Sequence, residues 1–367
     1  MKCSIVIPYY QRRELLFNTL YSLNNQINMD NTFEVIVIDD GSDDLSLKDI
    51  EQLDLNIDIK YFKYPRSERS GAAFARNKGI EKAKGEFVIF LDCDQIVKSD
   101  FVYEHYKFHE NANTDDLILQ IGMRNDLHEG QIIDIYNINK CTFDIDCREK
   151  VFEIYSENMA CLKGSWHLVF SNNISISRSI LDKYGGFDEN FKGWGLEDCE
   201  FGYRMFKQGV KILYNPNIEA FHQYHEFIWS EERVEGWKRN INYFIQKYYE
   251  LPVMMQLIIG EYVDPITKKE MVKRNRLERY DEEGKWLEIW LNSYERFENS
   301  LRSKHTNILN NCARNMTIKN PTISELEYIL ANEYFGELIV LCPKNNIDLI
   351  IWIQTSEKSS SVKLYTY

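Results

Sequence analysis

Short apolar runs alternate with amphipathic stretches through the first part of the chain. Cys3–Pro8 and Phe33–Asp39 are continuous runs rich in Ile and Val, the pattern of strands buried on both faces. Between them, Arg12–Asn25 carries apolar residues at 15, 16, 20 and 23, which is a helical spacing. Ile57–Tyr64 alternates like a strand, Ser70–Gly85 reads as a helix closed by a glycine, and Glu86–Leu91 reads as another buried strand. This βαβαβαβ rhythm predicts an α/β fold: a Rossmann-like, mostly parallel sheet with helices on both faces.

Further along, the pattern predicts a helix from about Ser99, a strand near Asp116–Met123 and a less regular region to about residue 165. Val169–Ser177 and Lys211–Tyr214 read as strands, and Arg178–Tyr184 and Glu197–Gln208 as helices. The composition shifts after His225. Trp229–Glu250 and Lys285–Arg302 read as aromatic-rich helices, followed by a helix at Ser324–Tyr334 and strands at Glu337–Cys342 and Asp348–Ile353. With 367 residues the chain is long for one domain. The expected division is a catalytic domain at 1–226 and a helical, α+β extension at 227–367 that binds an acceptor or makes a homo-oligomer.

Charge narrows the partners. The formal net charge is −13 and no Lys/Arg block offsets it, which argues against broad nucleic-acid or anionic-membrane binding. The basic stretch Lys268–Arg279 reads as a solvated helix face. Eight cysteines show no CxxC pair and no Cys/His zinc spacing, so buried free thiols are expected. MKCSIVIPYY reads directly as a core strand and no apolar run is long enough to span a bilayer. The expectation is a cytoplasmic protein without a transmembrane segment.

In α/β sheets ligands lie outside the carboxyl ends of the strands, and several acids sit there. Asp92 and Asp94 leave a buried strand at i and i+2, a spacing that can bracket a hard divalent cation together with substrate phosphates. Asp39–Asp40–Gly41 ends the second strand. Asp40 is the ligand candidate, and Asp39 the shaper of the turn. Arg66, Arg69, Arg76 and Asn77 lie around Ser70–Gly71, where a helix opens with exposed N–H groups that suit an anion. GWGLEDCEFGYR (193–204) places Glu197, Asp198 and Glu200 in a first helical turn. There each acid contributes ~0.3–1 kcal/mol through the helix dipole, or serves as a base.

VIPYYQRRELLFNTLYSL, VIVIDDGSDD, GAAFARNKGIEKAKGEFVIFLDCDQIV and GGFDENFKGWGLEDCEFGYRMFKQGVKILYNP resemble a family 2 glycosyltransferase of the GT-A fold, with a galactosyltransferase-type second half, over about residues 1–225. The resemblance implies a nucleotide-sugar donor, most often a UDP-sugar, with Mn²⁺ or Mg²⁺ between the D-x-D motif and the diphosphate. It implies that Pro8, Tyr10 and Asp40 contact base and ribose, with Arg66, Arg76 and Asp92 also on the donor. Asp94 and Asp92 would hold the metal, with His222 completing the shell and His225 as a neighbouring rival. Asp198 would be the base of an inverting transfer, Glu197 an acceptor ligand and Trp194 a platform for a sugar ring, while Glu200 is expected to be scaffold. The acceptor would be a carbohydrate, lipid-linked or peptide hydroxyl. Glu197 with Glu200 also satisfies the W-G-x-E-x-x-E segment of retaining relatives, so a retaining transferase is the alternative. A catalytically inactive glycan-binding protein is another, and a sugar-nucleotide pyrophosphorylase lacks its G-x-G-T-R loop here.

Overall fold

The computed structural model describes residues 1–29, 32–112, 116–149, 165–226, 230–248, 308–309, 315–319, 321–324, 337–343, 345–355 and 362–366, with isolated positions 152, 159, 253 and 326. Two compact units emerge: Met1–Glu149 with Ser165–Asn240, and Lys150–Gly164 with Ile241–Tyr367. The first unit runs past the boundary expected at 226. Residues 231–240, the part of helix α7 (Glu231–Tyr248) that falls in this unit, place Trp237 and Asn240 against the 192–195 loop of the same unit. The expected helix at Lys285–Arg302 lies outside the described residues, as does most of Ser324–Tyr334.

The first unit is built on one sheet. Strands β1 (Cys3–Tyr9), β2 (Phe33–Asp39), β3 (Asp58–Lys63) and β4 (Phe87–Leu91) form a parallel half in the order β3-β2-β1-β4. β1, β2 and β4 are buried almost throughout, as their unbroken Ile/Val runs predict. The sheet continues through β8 (Asn173–Ser177), β6 (Ile118–Leu127), β9 (Lys211–His222) and β5 (Gln95–Val97), with the two-residue β7 (Phe143–Asp144) on β6. Helices α1 (Arg13–Asn24), α2 (Leu47–Glu51), α3 (Ala72–Lys82) and α4 (Phe101–Glu110) cover it, and α5 (Arg178–Tyr184) and α6 (Glu197–Lys207) complete the unit. α3 lies hard against β1: a Cβ on Gly79 would come within 2.1 Å of Val6 Cγ1. The chain order reverses between β1 and β4, so their carboxyl ends form the crevice in which such sheets bind ligands.

Two strands differ from expectation. β9 continues to His222 rather than ending at Tyr214, with a register shift opposite Ile121/Met123. Polar Asn215 and Asn217 hide the extension, because they sit in the bulge where alternation breaks. β8 starts at Asn173, not Val169, since Ser165–Leu168 makes a 3₁₀ turn ahead of it.

The second unit carries a four-stranded sheet, β10 (Ile308–Leu309), β11 (Asn315–Lys319), β12 (Glu337–Cys342) and β13 (Val362–Thr366), with β11, β12 and β13 parallel. The run expected as a strand at Asp348–Ile353 is helix α8 (Ile347–Thr355). Parallel pairing of β12 with β13 requires a crossover, and the apolar run supplies it by burying Leu349 and Ile353 at i, i+4. Among the described residues, no helix is long and apolar enough to cross a membrane.

A buried polar cluster joins α4 to the sheet. His105 Nδ1 lies 2.7 Å from Gln120 Oε1 and 2.9 Å from Ser175 Oγ, and His109 Nε2 lies 2.8 Å from the same Ser175 hydroxyl. Burial pushes the His105 pKa down to about 3 and that of His109 down to about 4. Both rings are therefore neutral in the fold and take up a proton only on unfolding. Stability is complete above the ordinary imidazole pKa and falls as pH drops through the window from about 6.5 to about 4, by ~1.4 kcal/mol per pH unit for each ring. Urea unfolding at pH 5 to 6 should show this slope, and His105→Gln should reduce it by about one proton. An unchanged slope would mean that His105 is already protonated in the native state.

Candidate active site

The carboxyl edge of the sheet gathers the acids. β4 ends at Leu91 and turns through Asp92–Cys93–Asp94 into β5, whose Gln95 pairs antiparallel with His222 of β9. Gln223 N–H then donates to the Asp94 carbonyl at 2.8 Å. This pairing brings together residues well over a hundred positions apart. Asp94 is only 5% exposed, and its Oδ2 lies 3.6 Å from His222 Nε2 and 3.4 Å from His225 Nε2. Arg12 Nη1 donates to the same oxygen. Burial works to raise the Asp94 pKa, but the hydrogen bonds and charges of His222, His225 and Arg12 outweigh it and hold the carboxyl well below the usual range.

Asp94, His222 and His225 each offer one ligand atom, and these atoms lie within 4.8 Å of one another. One carboxylate oxygen and two imidazole nitrogens form a donor set that suits a divalent transition ion with open positions left over. Behind it, the Asp126 carboxylate lies 3.0 Å from His222 Nδ1, the kind of partner that orients a ligating ring. Burial works against the charged form of His222, yet Asp126 and Asp94 raise its pKa. Asp92, expected as a second ligand, stands apart: its Oδ1 accepts from Arg76 Nη2 at 2.9 Å. Asp92–Cys93–Asp94 is a turn between β4 and β5 rather than a strand, so the two carboxylates need not share a face, and Asp92 is turned toward Arg76 of α3.

Arg76 is not an open anion binder. It is 3% exposed, and its Nη1 donates to Glu197 Oε1 at 3.1 Å while Nη2 holds Asp92. Burial alone would lower its pKa, but the carboxylates of Asp92, Glu197 and Asp198 raise it. Its Nε has no hydrogen-bond partner among the described residues. Asn77 also serves the neighbouring loop, exchanging 2.8 Å hydrogen bonds with the Phe187 backbone. Arg69 pairs with Glu189 at 2.6 Å.

At the β1–β2 end of the crevice, Asp40 is buried and accepts from Arg66 Nη1 at 2.6 Å, Ser70 Oγ at 2.7 Å and Gly71 N–H at 2.8 Å. Burial is the leading cause of its raised pKa. The Arg66 guanidinium lies 4.2 Å from the centroid of the exposed Tyr10 ring, close to Pro8 at the end of β1. Asp39 serves the turn, accepting from Ser42 N–H at 2.7 Å and Tyr61 Oη at 2.5 Å.

The GWG loop bridges to this corner through backbone pairing of Gly193 with Gly71. Asn240 holds its two ends, donating to the Lys192 and Gly195 carbonyls at 3.1 and 2.9 Å. Trp194 is 44% exposed at its tip. Leu196 is left-handed, at φ 74°, a conformation that costs a non-glycine residue ~1–3 kcal/mol. It starts α6, so that Glu197 and Asp198 stand at the helix mouth. Glu200 is fully buried and accepts from Arg204 Nε at 3.1 Å, and Arg204 also ties down the carbonyls of Tyr184 and Gly186.

Arg12 and Asp126 were missed by sequence reasoning, and His225 was treated only as a rival to His222. Arg12 lies within the quoted N-terminal motif without a spacing cue. Asp126 carries no local cue and becomes visible only once the register places it opposite His222.

Residues 4–185 match the family described as glycosyl transferase family 2, and residues 157–227 match the family described as N-terminal domain of galactosyltransferase. The chain is 27% identical over 282 residues to the uncharacterized glycosyltransferase YfnE of Bacillus subtilis, covering 68% of this chain and 71% of that one. It is 32% identical over 241 residues to the chondroitin synthase of Pasteurella multocida, covering 60% of this chain and only 24% of that protein's length. Two solved structures share the fold at 17% identity and a TM-score of 0.51. S. aureus TarS 1–349 in complex with UDP-GlcNAc covers 82% of this chain and 81% of its own, and GalNAc-T7 with UDP, GalNAc and Mn²⁺ covers 83% and 58%.

Arg76→Met leaves the partly buried carboxylates of Asp92 and Glu197 without their cation, and should lower unfolding free energy by ~3 kcal/mol. Arg76→Lys should recover only part of that loss, since an ammonium lacks the planar fork that spans both acids. Denaturant unfolding of the two variants measures this, and equal stability of Arg76→Met and wild type would remove the clamp.

Proposed function

The chain belongs, through residues 4–185, to the family 2 glycosyltransferases, and from that premise we propose a metal-dependent, inverting transfer of a hexose or N-acetylhexosamine from a UDP-sugar to an acceptor hydroxyl. One observation carries this reading. Arg76 joins Asp92, at the strand end of the donor side, to Glu197, on the acceptor side, so both halves border one reaction space. Support for the donor comes from TarS, solved with UDP-GlcNAc, and from GalNAc-T7, solved with UDP, GalNAc and Mn²⁺.

Pro8, Tyr10, Asp40 and Arg66 form the base and ribose corner. Tyr10 offers a ring face, and Asp40 offers a carboxylate already oriented by three donors. Asp94, His222 and His225 would hold a Mn²⁺ or Mg²⁺, and Asp92, held apart by Arg76, would face the donor. A divalent cation there would supply positive charge to the departing diphosphate. Arg76 orients Asp92 and Glu197 rather than gripping phosphate itself. Asp198 takes the proton of the acceptor hydroxyl as general base, Glu197 holds that acceptor, and Trp194 provides the apolar face against its ring. Direct displacement needs the base opposite the leaving group. The helix mouth at 197–198 stands across Arg76 from Asp92, in keeping with that need. Residues 1–226 are assigned to catalysis, and 227–367 to acceptor binding or self-association.

UDP release from UDP-Glc, UDP-Gal, UDP-GlcNAc and UDP-GalNAc with Mn²⁺ identifies the donor, and EDTA should abolish turnover. Asp198→Asn should lower kcat by ~10²–10⁴-fold with donor KM little changed. A near wild-type rate would remove Asp198 as base. NMR of the product should show a β linkage from an α-linked donor, and an α linkage would replace displacement by retention. Asp126→Asn should weaken Mn²⁺ binding by ~10–100-fold in calorimetry, while unchanged affinity would detach Asp126 from the metal group.

A further inference from the structure

The acidic cluster carries a cation of its own. Arg12 Nη1 donates to Asp94 Oδ2 and lies 2.8 Å from His225 Nε2. His225 Nδ1 is 3.2 Å from the Glu226 carbonyl, while Nε2 faces both Arg12 and Asp94 Oδ2, the latter 3.4 Å away. A neutral imidazole nitrogen offers one lone pair to a metal, and Arg12 Nη1 and a metal ion cannot both occupy the position in front of Nε2.

The backbone of Arg12 is pinned independently of the contacts its side chain makes with Asp94 and His225. Its N–H donates to Tyr9 Oη at 3.1 Å, and its carbonyl accepts from Leu16 N–H at 3.0 Å as α1 begins. The side chain is 34% exposed, against 6% for Asp94. The guanidinium can therefore swing toward solvent without disturbing the β1–α1 turn, whereas Asp94 stays where β5 and β9 hold it.

We propose that Arg12 is a resident counter-ion that competes with the divalent cation: it holds Asp94 and His225 in the metal-free protein and vacates His225 Nε2 when the ion binds. The inference rests on the metal reading above and adds to it a displacement step that sets metal affinity. A buried carboxylate without a cation is costly, so the metal-free fold is kept intact by Arg12. The same contact reduces the fraction of molecules ready to take the ion.

Calorimetric titration of Mn²⁺ without donor, on wild type, Arg12→Met and Arg12→Lys, tests this. Arg12→Met should bind Mn²⁺ about tenfold more tightly than wild type, as removal of an occluded state that holds most of the population requires. Its metal-free melting temperature should fall below that of wild type, and the gap should close on adding Mn²⁺. Arg12→Lys, which keeps the charge, should stay near wild type. Binding by wild type with no gain in Arg12→Met overturns this inference and leaves metal dependence standing, whereas no binding by either protein overturns both. If Arg12→Met does not fold, ¹⁵N-arginine-labelled wild type gives the same answer. The Arg12 Nε–H resonance, assigned by its loss in Arg12→Lys, should move on titration with Mg²⁺, and an unmoved resonance at saturating Mg²⁺ overturns the proposal.

Discussion

A carboxylate taken out of water sets the terms for this site. Asp94 is held at the turn between two buried strands, where an uncompensated charge would cost several kcal/mol. Everything packed around it is a donor or a cation: Arg12 from the first loop, and His222 and His225 from the far end of the sheet. The Asp94 charge survives burial because partners from two distant parts of the chain converge on it. The same partners make it an attractive seat for a divalent ion, since an ion offers more charge to the same oxygen and nitrogens than a guanidinium does.

A second buried charge organises the opposite wall. Arg76 stands between Asp92 and Glu197, and Asn77 beside it latches the Phe187 backbone. One turn of α3 thus governs the approach of the 185–197 segment to the strand ends. Gly71 and Gly193 pair there with φ of 148° and 75°, backbone conformations that glycine adopts without a Cβ penalty. Asp92 at the strand end and Glu197 at the start of α6 consequently share one support in Arg76, the kind of fixed positioning on which acid–base chemistry depends.

Much of the framework was legible in the chain because burial on both faces leaves long Ile/Val runs at β1, β2 and β4, and because glycine and strand-end acids mark the crevice. The failures have equally local causes. The apolar run at 348–353 carries no periodicity able to separate a buried strand from a crossover helix, and the parallel pairing of β12 with β13 decides it. The extension of β9 to His222 was hidden by asparagines in a bulge. The ion pairs of Arg76 with Asp92 and Glu197 were not legible either, because sequence shows the charge of Arg76 and not the two carboxylates that meet it.

The sequence by itself determined the alternation of strands and helices, the acids at the carboxyl ends and the GWG–Glu–Asp segment, since each is written in nearest-neighbour periodicity and turn chemistry. Tertiary structure alone decided which of those acids meet which cations. The Gln95–His222 pairing and the meeting of His225 with Arg12 and Asp94 depend on sheet register across more than a hundred residues, and the turning of Asp92 toward Arg76 depends on how α3 packs on the sheet. No local pattern encodes such a register, because it is fixed by packing of the whole sheet.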